Sequence, residues 1–265
     1  VLRTKRVKST KRSPLKDKPL RNPGQSVADQ QQEIVDKTFE PVAVAILLLT
    51  LAGIEWYRSY FPQPPHPIFY TVVALSGLAY AAFRISRALP TLRALRLAKD
   101  GERAVGQFLE HLRVRGYQVF HDVVGSGFNL DHVIIGPAGV FAVETKTFSK
   151  PARRESKVVF DGQRLLVDGF EPDRDPIVQA KAQASWLRSL LTESTGRKFS
   201  VRSVIVFPGW FVEQDRASRR EIWVLNPKGL PSFLESEPQV LSPEDVKLAS
   251  FHLSRFIRGG VGKAS

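Results

Sequence analysis

Two short apolar runs, at residues 133–135 and 140–143, flank the turn sequence G-P-A-G at residues 136–139. Branched and aromatic residues around a Gly/Pro turn are typical of a β-hairpin. Because each run is apolar at consecutive positions, both faces of the hairpin are expected to be covered, as in the middle of a sheet. The pattern therefore predicts two central strands joined by a tight turn.

The open end of this hairpin carries charged residues. If Pro137 and Ala138 form the centre of the turn, Asp131 lies opposite Glu144, with Cβ atoms roughly 4.5–5.5 Å apart. Alternation along the strand places Glu144 and Lys146 on one face. Opposed carboxylates repel, so one of them binds a proton or a cation lies between them, and a hard divalent ion such as Mg²⁺ prefers such oxygen ligands. The alternative, which the E-x-K triplet alone would favour, is an exposed ion pair of Lys146 with a neighbouring acid.

A helix is predicted before the hairpin. Asp100 is a candidate N-cap, and the inward positions that follow include Val105 and Leu109. Helical spacing places Glu102 on the same inward stripe, where a carboxylate is unusual unless it is paired or coordinates a cation. A solvated acid in the first turn, favoured by the helix dipole, is the alternative for Glu102.

Another helix is predicted after the hairpin. Asp175 and Pro176 combine an N-cap with a proline at the first helical position, and the helix should run to about Leu191. Gln179 falls on an inward stripe, with a surface amide at a helix end as the alternative. The other predicted elements are strands at 117–123, 158–160, 164–167, 201–207 and 221–225, and a last helix from 242 to about 257.

The N-terminal part of the chain has two uncharged apolar segments, at residues 42–54 and 68–83, separated by a proline-rich loop. Each is a little shorter than the ~20 residues of a typical membrane-spanning helix. We interpret them as a transmembrane hairpin, with a pair of buried core helices as the alternative. Basic residues flank the pair on both outer sides, so the positive-inside rule predicts both termini in the cytoplasm, at the inner or plasma membrane.

Charge is unevenly distributed along the 265 residues, which carry a net charge of +13. Residues 1–37 are polar and strongly basic, and we expect a disordered arm that attracts nucleic acid or anionic lipid. A basic loop follows Lys146 and could hold phosphates, or be simply solvated; its residues are Lys150, Arg153, Arg154 and Lys157. The absence of cysteine excludes disulfides, thiolate chemistry and cysteine-based zinc sites.

The sequence L-D-H-V-I-I-G-P-A-G-V-F-A-V-E-T-K at residues 130–146 closely resembles the nuclease-related domain family, similar to a branch of the PD-(D/E)xK nucleases. G-E-R-A-V-G upstream and D-P-I-V-Q-A downstream strengthen the resemblance, which extends from about Gly101 to Val206. It implies a restriction-endonuclease-like fold and phosphodiester hydrolysis with Mg²⁺ or Mn²⁺.

The resemblance also implies roles for individual residues. Asp131, Glu144 and the Thr145 backbone carbonyl would hold the metal, and Lys146 would orient or deprotonate the attacking water. In the family, the acid of the G-E pair and the glutamine of the downstream helix belong to the site. These positions correspond to Glu102 and Gln179 in this chain.

Together these patterns predict an α/β chain with a mixed central sheet flanked by helices. The expected divisions are a disordered arm at 1–37, a transmembrane hairpin at 38–84, a basic linker at 85–99, a nuclease-related domain at 100–258 and a flexible tail at 259–265. The expected function is cleavage of nucleic acid, with DNA as the favoured substrate. The alternatives are a non-catalytic module that binds nucleic acid or protein, and a lipid-binding scaffold.

Overall fold

The computed structural model describes residues 20–61, 67–125, 127–150, 156–215 and 217–260. The α-helices of this part of the chain are α1 Gln25–Arg58, α2 Pro67–Leu109, α3 Pro176–Thr195, α4 Leu230–Ser236 and α5 Pro243–Gly260. Its strands are β1 Gln118–Val124, β2 Asn129–Gly136, β3 Gly139–Thr145, β4 Lys157–Phe160, β5 Leu165–Val167, β6 Val201–Val206, β7 Phe211–Gln214 and β8 Ile222–Leu225.

A five-stranded mixed sheet in the order β1-β2-β3-β6-β8 forms the centre of the fold. Strand β2 is antiparallel to both β1 and β3, whereas β6 runs parallel to both β3 and β8. Every residue of β3 is buried, which confirms the prediction of a central strand covered on both faces. Helices flank this sheet, so the predicted fold class is confirmed.

The predicted turn and its register are also confirmed. Ile135 pairs with Val140, and Gly136 pairs with Gly139 across the turn. Gly139 has a φ of 129°, a backbone conformation that side chains with a Cβ rarely adopt. Continuing this register to the open end of the hairpin places Asp131 opposite Glu144.

Two apolar layers cover the sheet. On one face, Val105 and Leu109 of α2 pack with Phe141 of β3. On the other face, Leu187 of α3 packs with Ala142 of β3 and with residues of α5. The ends of the central strands therefore lie between α2 on one side and α3 on the other.

Helix α3 begins as predicted, because the Asp175 side chain accepts a hydrogen bond from the Ile177 amide at 2.8 Å. It ends at Thr195, somewhat beyond the predicted Leu191. The predicted hairpin of β4 and β5 is present, but it forms a separate three-stranded sheet with β7. This small sheet was not predicted, because β7 pairs with a strand that lies about fifty residues away in the sequence.

The two N-terminal helices pack against each other through small side chains. Ala45 and Ala52 of α1, and Ala74 and Ala81 of α2, are buried. Large apolar side chains instead face outward, and Leu47 is 58% and Phe69 64% exposed. Both helices are long and apolar enough to cross a membrane. Their outward apolar surface contradicts the alternative of two buried core helices.

Two expectations about the N-terminal part are wrong. Helix α2 runs without a break through the expected linker at 85–99 and through Asp100, which therefore caps no helix. The leucine-, alanine- and arginine-rich sequence favours helix there, and Pro90 is accommodated inside it. In the expected disordered arm, residues from Gln25 onward form the start of α1. Residues 1–19, the loop 62–66 and the end of the tail at 261–265 lie outside the described residues.

Candidate acidic site at the ends of the central strands

Glu144 lies near the end of β3 on the face that α3 covers, and its side chain is almost completely buried. The Lys146 ammonium lies 2.7 Å from Glu144 Oε1 and also donates to Gln179 Oε1 at 2.8 Å. The ion pair of Lys146 that the alternative interpretation proposed is therefore present, but it is buried on the Glu144 side rather than exposed. The shared face of Glu144 and Lys146 follows from strand alternation, as predicted.

Helix α3 supplies two amides to the same carboxylate. Gln179 Nε2 donates to Glu144 Oε1 at 2.7 Å, which contradicts the alternative of a surface amide. Gln183 Nε2 donates to Glu144 Oε2 at 2.6 Å and to the Asn129 carbonyl at 2.9 Å. Gln183 was missed as a site residue, although its i, i+4 spacing from Gln179 places both on one stripe.

Asp131 approaches Glu144 from the neighbouring strand, and its Oδ2 accepts a hydrogen bond from the Thr145 amide at 2.7 Å. Burial, and then the negative charges of Glu144 and Glu102, raise the pKa of Asp131 well above its ordinary value. The charge of Glu144 contributes to this rise in the pKa of Asp131, in the sense that the register predicts. The Thr145 hydroxyl beside it is buried without a hydrogen-bond partner among the described residues.

Glu102 reaches the site from α2, on the opposite face of the sheet. Gly101 makes this approach possible, because a Cβ at that position would lie 1.9 Å from the Thr147 hydroxyl. Glu102 is only 8% exposed, so it is not the solvated first-turn acid of the alternative interpretation. Burial, and then the charges of Asp122 and Glu144, raise its pKa to about 7.

Among the described residues, the site thus brings two buried carboxylates, Glu102 and Glu144, and the half-buried Asp131 together with the ammonium of Lys146. This excess of acidic groups, and the raised pKa values of Asp131 and Glu102, fit a site that would gain from a bound cation. Among the described residues, no group of three or more His, Cys, Asp or Glu side chains is arranged to hold a metal ion.

Residues 97–208 match the family model of the nuclease-related domain, NERD. The chain carries a nuclease-related domain. The matched segment includes every residue that the sequence predicted for the site, from Glu102 on α2 to Gln179 on α3. No curated protein and no solved structure matched the chain.

The predicted basic loop of the nuclease-related domain is only partly described, since Arg153 and Arg154 lie outside the described residues. The Lys150 ammonium lies 5.1 Å from the centre of the Trp210 ring, at the surface beside the strand ends. Lys157 is the first residue of β4 and forms an exposed ion pair with Glu213 at 2.9 Å. A nucleic-acid contact by these lysines stays a prediction.

Asp122 is a fourth acidic residue of the nuclease-related domain that the sequence did not indicate. It belongs to β1, is buried, and lies close enough to Glu102 for its charge to raise the pKa of Glu102. Its φ of 50° interrupts the regular alternation of β1. No signal in the sequence marks such a break, which explains why Asp122 was missed.

Proposed function

We propose that the nuclease-related domain hydrolyses phosphodiester bonds in nucleic acid, with DNA as the first substrate to test, and that it requires Mg²⁺ or Mn²⁺. One observation carries the proposal: Asp131, Glu144 and Lys146 converge at the end of one sheet, with Glu102 and Gln179 supplied by the two flanking helices. Acidic groups beside a positioned lysine form the kind of site that metal-assisted hydrolysis needs.

The proposed ligands of the cation are the carboxylates of Asp131 and Glu144 and the backbone carbonyl of Thr145, with Glu102 completing the set. When bound, a divalent cation supplies an activated water and stabilises the negative charge that develops on the phosphate. The protein's contribution is the rigid placement of these oxygens. Asp131 is fixed by the Thr145 amide, and Glu144 is fixed by the amides of α3.

Lys146 has the geometry to act on the attacking water. Its ammonium is oriented by two acceptors, Glu144 Oε1 at 2.7 Å and Gln179 Oε1 at 2.8 Å, and its side chain is 21% exposed. An ammonium has three protons, so the third can point to a water or to a phosphate oxygen. Since an ammonium has no lone pair to accept a proton, we assign Lys146 the role of orienting the water, and Gln179 the role of holding Lys146.

We also propose that α1 and α2 anchor the nuclease-related domain to a membrane with both termini in the cytoplasm. The proposal rests on the outward apolar side chains of both helices and on the basic residues at their outer ends. Reporter fusions at Ser265 and in the loop at 62–66 test the orientation. An extracytoplasmic signal from the Ser265 fusion contradicts it.

The decisive experiment on activity is a nuclease assay on the full chain in detergent micelles. Single- and double-stranded DNA and RNA are incubated with Mg²⁺, with Mn²⁺ or with EDTA, beside a matched Glu144→Gln variant. We expect cleavage that requires the cation and is lost in the variant, because an amide is a poorer cation ligand than a carboxylate. Cleavage that persists in Glu144→Gln would come from a contaminant or another site.

The second candidate function is a non-catalytic module that binds nucleic acid or protein. It is favoured by the saturation of Glu144, whose two oxygens already accept bonds from Lys146, Gln179 and Gln183. It predicts nucleic-acid binding without cleavage and without any effect of divalent cations. A fold of this type does not by itself decide between the two functions.

A further inference from the structure

Asp122 lies near Glu102 of the acidic site. Along β1 and β2, Asp122 and Asp131 lie at the same level, between the paired positions His121–His132 and Val123–Leu130. Burial raises the pKa of Asp122, and the charge of Asp122 in turn raises that of Glu102. Asp122 is therefore electrostatically part of the acidic cluster, although the proposed function assigns it no role.

Both carboxylate oxygens of Asp122 accept hydrogen bonds from residues far upstream in the sequence. Oδ2 accepts hydrogen bonds from the Arg21 guanidinium and, at 3.1 Å, from the Ser26 amide. Oδ1 accepts a hydrogen bond from the Ser26 hydroxyl. Asp122 thus caps the start of α1, where backbone amides otherwise have no partner within the helix.

The same upstream residues, 20–26, pack closely against α2, and we call them the latch segment. A Cβ added at Gly106 of α2 would lie 2.5 Å from Pro23 Cγ, so only glycine admits the proline ring. Gly24 lies beside the acidic site itself, because a Cβ built on it would be 3.5 Å from Glu102 Oε2. The latch segment therefore covers Glu102 and neutralises Asp122 at the same time.

We propose that Asp122 is a fourth carboxylate of the acidic site. The latch segment keeps this carboxylate paired, so that Asp122 contributes to cation binding only after the segment dissociates. Departure of Arg21 removes one positive charge beside the site and leaves the negative charge of Asp122 behind. Cation affinity at the site must then rise, and by linkage a bound cation must favour release of the latch segment. The start of the first membrane helix would thereby be coupled to the site. This inference rests on the proposed cation site.

The test measures Mn²⁺ binding to the full chain in detergent micelles, by titration calorimetry and by the electron paramagnetic resonance signal of free Mn²⁺. The variants are Arg21→Ala, Asp122→Asn and the double variant, with Lys37→Ala as the control for loss of an exposed charge on α1. Asparagine tolerates the positive φ of position 122, so Asp122→Asn removes the charge without backbone strain.

We expect Arg21→Ala to bind Mn²⁺ about threefold or more tightly than the wild type, because an unscreened carboxylate is added to the site. Asp122→Asn should show no such gain, and Arg21→Ala should have no effect in the Asp122→Asn background. Gly106→Ala provides a second route, since it displaces Pro23 without changing any charge. It should also tighten binding.

Each possible outcome decides the inference. If Arg21→Ala and Gly106→Ala bind Mn²⁺ with wild-type affinity, or if Arg21→Ala tightens binding in the Asp122→Asn background too, Asp122 is only a structural cap for α1. If neither the wild type nor any variant binds Mn²⁺, the proposed cation site fails and this inference fails with it. Mn²⁺ binding that appears only in Arg21→Ala and Gly106→Ala supports both the proposed cation site and the proposed role of the latch segment.

Discussion

Glu144 and Glu102 approach the same strand ends from opposite faces of the sheet, and their surroundings differ. Glu144 accepts hydrogen bonds from Lys146 and from two amides of α3. Glu102 is nearly as buried, but no hydrogen-bond donor of the described residues contacts its carboxylate. Burial is similar for the two acids, so the difference lies in the donors: those around Glu144 compensate its charge, whereas Glu102 has none among the described residues.

The comparison separates the site into a fixed side and an adjustable side. On the α3 side, donors that are already in place hold Glu144 in one position. The adjustable side comprises Glu102 on α2 and Asp131 on β2, which have fewer hydrogen-bond donors than their desolvation requires, so a proton or a cation must compensate them. Substitutions on the two sides should therefore affect different properties, and the following predictions test this division.

The largest effect is expected from Lys146, the only cationic side chain of the fixed side among the described residues. Lys146→Ala should lower the rate of nucleic-acid cleavage about 100-fold or more, because the group that orients the water is lost. Stabilisation of the fold by Mn²⁺ should remain, since Lys146 is not a proposed ligand. Cleavage rates and melting temperatures of the same preparation check both parts. A wild-type cleavage rate in Lys146→Ala would contradict the proposed role of Lys146.

Glu102 should make stability depend on pH, because its pKa rises from an ordinary 4.5 to about 7 in the folded state. The folded state therefore binds the proton more tightly than the unfolded state. The stability that protonation of Glu102 contributes is complete below about pH 4.5 and is lost as the pH rises through about 7, with an upper limit between about 3 and 4 kcal/mol.

Glu102→Gln should remove this dependence, so the variant should be more stable than the wild type at pH 8 and equal to it near pH 4.5. Urea unfolding of both proteins between these pH values measures the difference. Parallel stability curves for the two proteins would show that Glu102 titrates as an ordinary acid.

Asp131 should link cation binding to stability on the adjustable side. Saturating Mn²⁺ should stabilise the wild type by about 2.7 kcal/mol at a concentration 100-fold above Kd. Asp131→Asn should be at least as stable as the wild type in EDTA, because the repulsion with Glu144 is gone, and it should gain less from Mn²⁺. Thermal melts in EDTA, Mg²⁺ and Mn²⁺ measure this, and identical wild-type melts in EDTA and Mn²⁺ contradict the shared-cation site.

The parts of the site that could be predicted from sequence are those fixed by local geometry. The turn at residues 136–139 sets the register of its own hairpin, which is sufficient to place Asp131 opposite Glu144. The N-cap at Asp175 sets the phase of α3, which is sufficient to turn Gln179 inward.

The parts that could not be predicted depend on contacts between distant segments. Arg21 and Asp122 are 101 residues apart, and no sequence pattern marks their contact. Gly101 was seen only as part of a motif, and its physical role follows from the close approach of Thr147. The continuity of α2 was missed because Asp100 and Gly101 have the composition of a helix start, whereas packing against the strand ends keeps them inside the helix.

The smallest effect is expected within the fixed side, where two glutamines of one helix contact the same acid. Gln183→Ala should lower the free energy of unfolding by about 2 kcal/mol, because it leaves the buried Glu144 Oε2 and the Asn129 carbonyl without this donor. Gln179→Ala should cost less, since Gln179 is only half-buried and water can replace its amide. Ser185→Ala, an exposed position of the same helix, should stay within about 0.5 kcal/mol of the wild type. Urea unfolding at one pH ranks the three variants. Equal losses for Gln179→Ala and Gln183→Ala would mean that donor number rather than burial determines how strongly the fixed side holds Glu144.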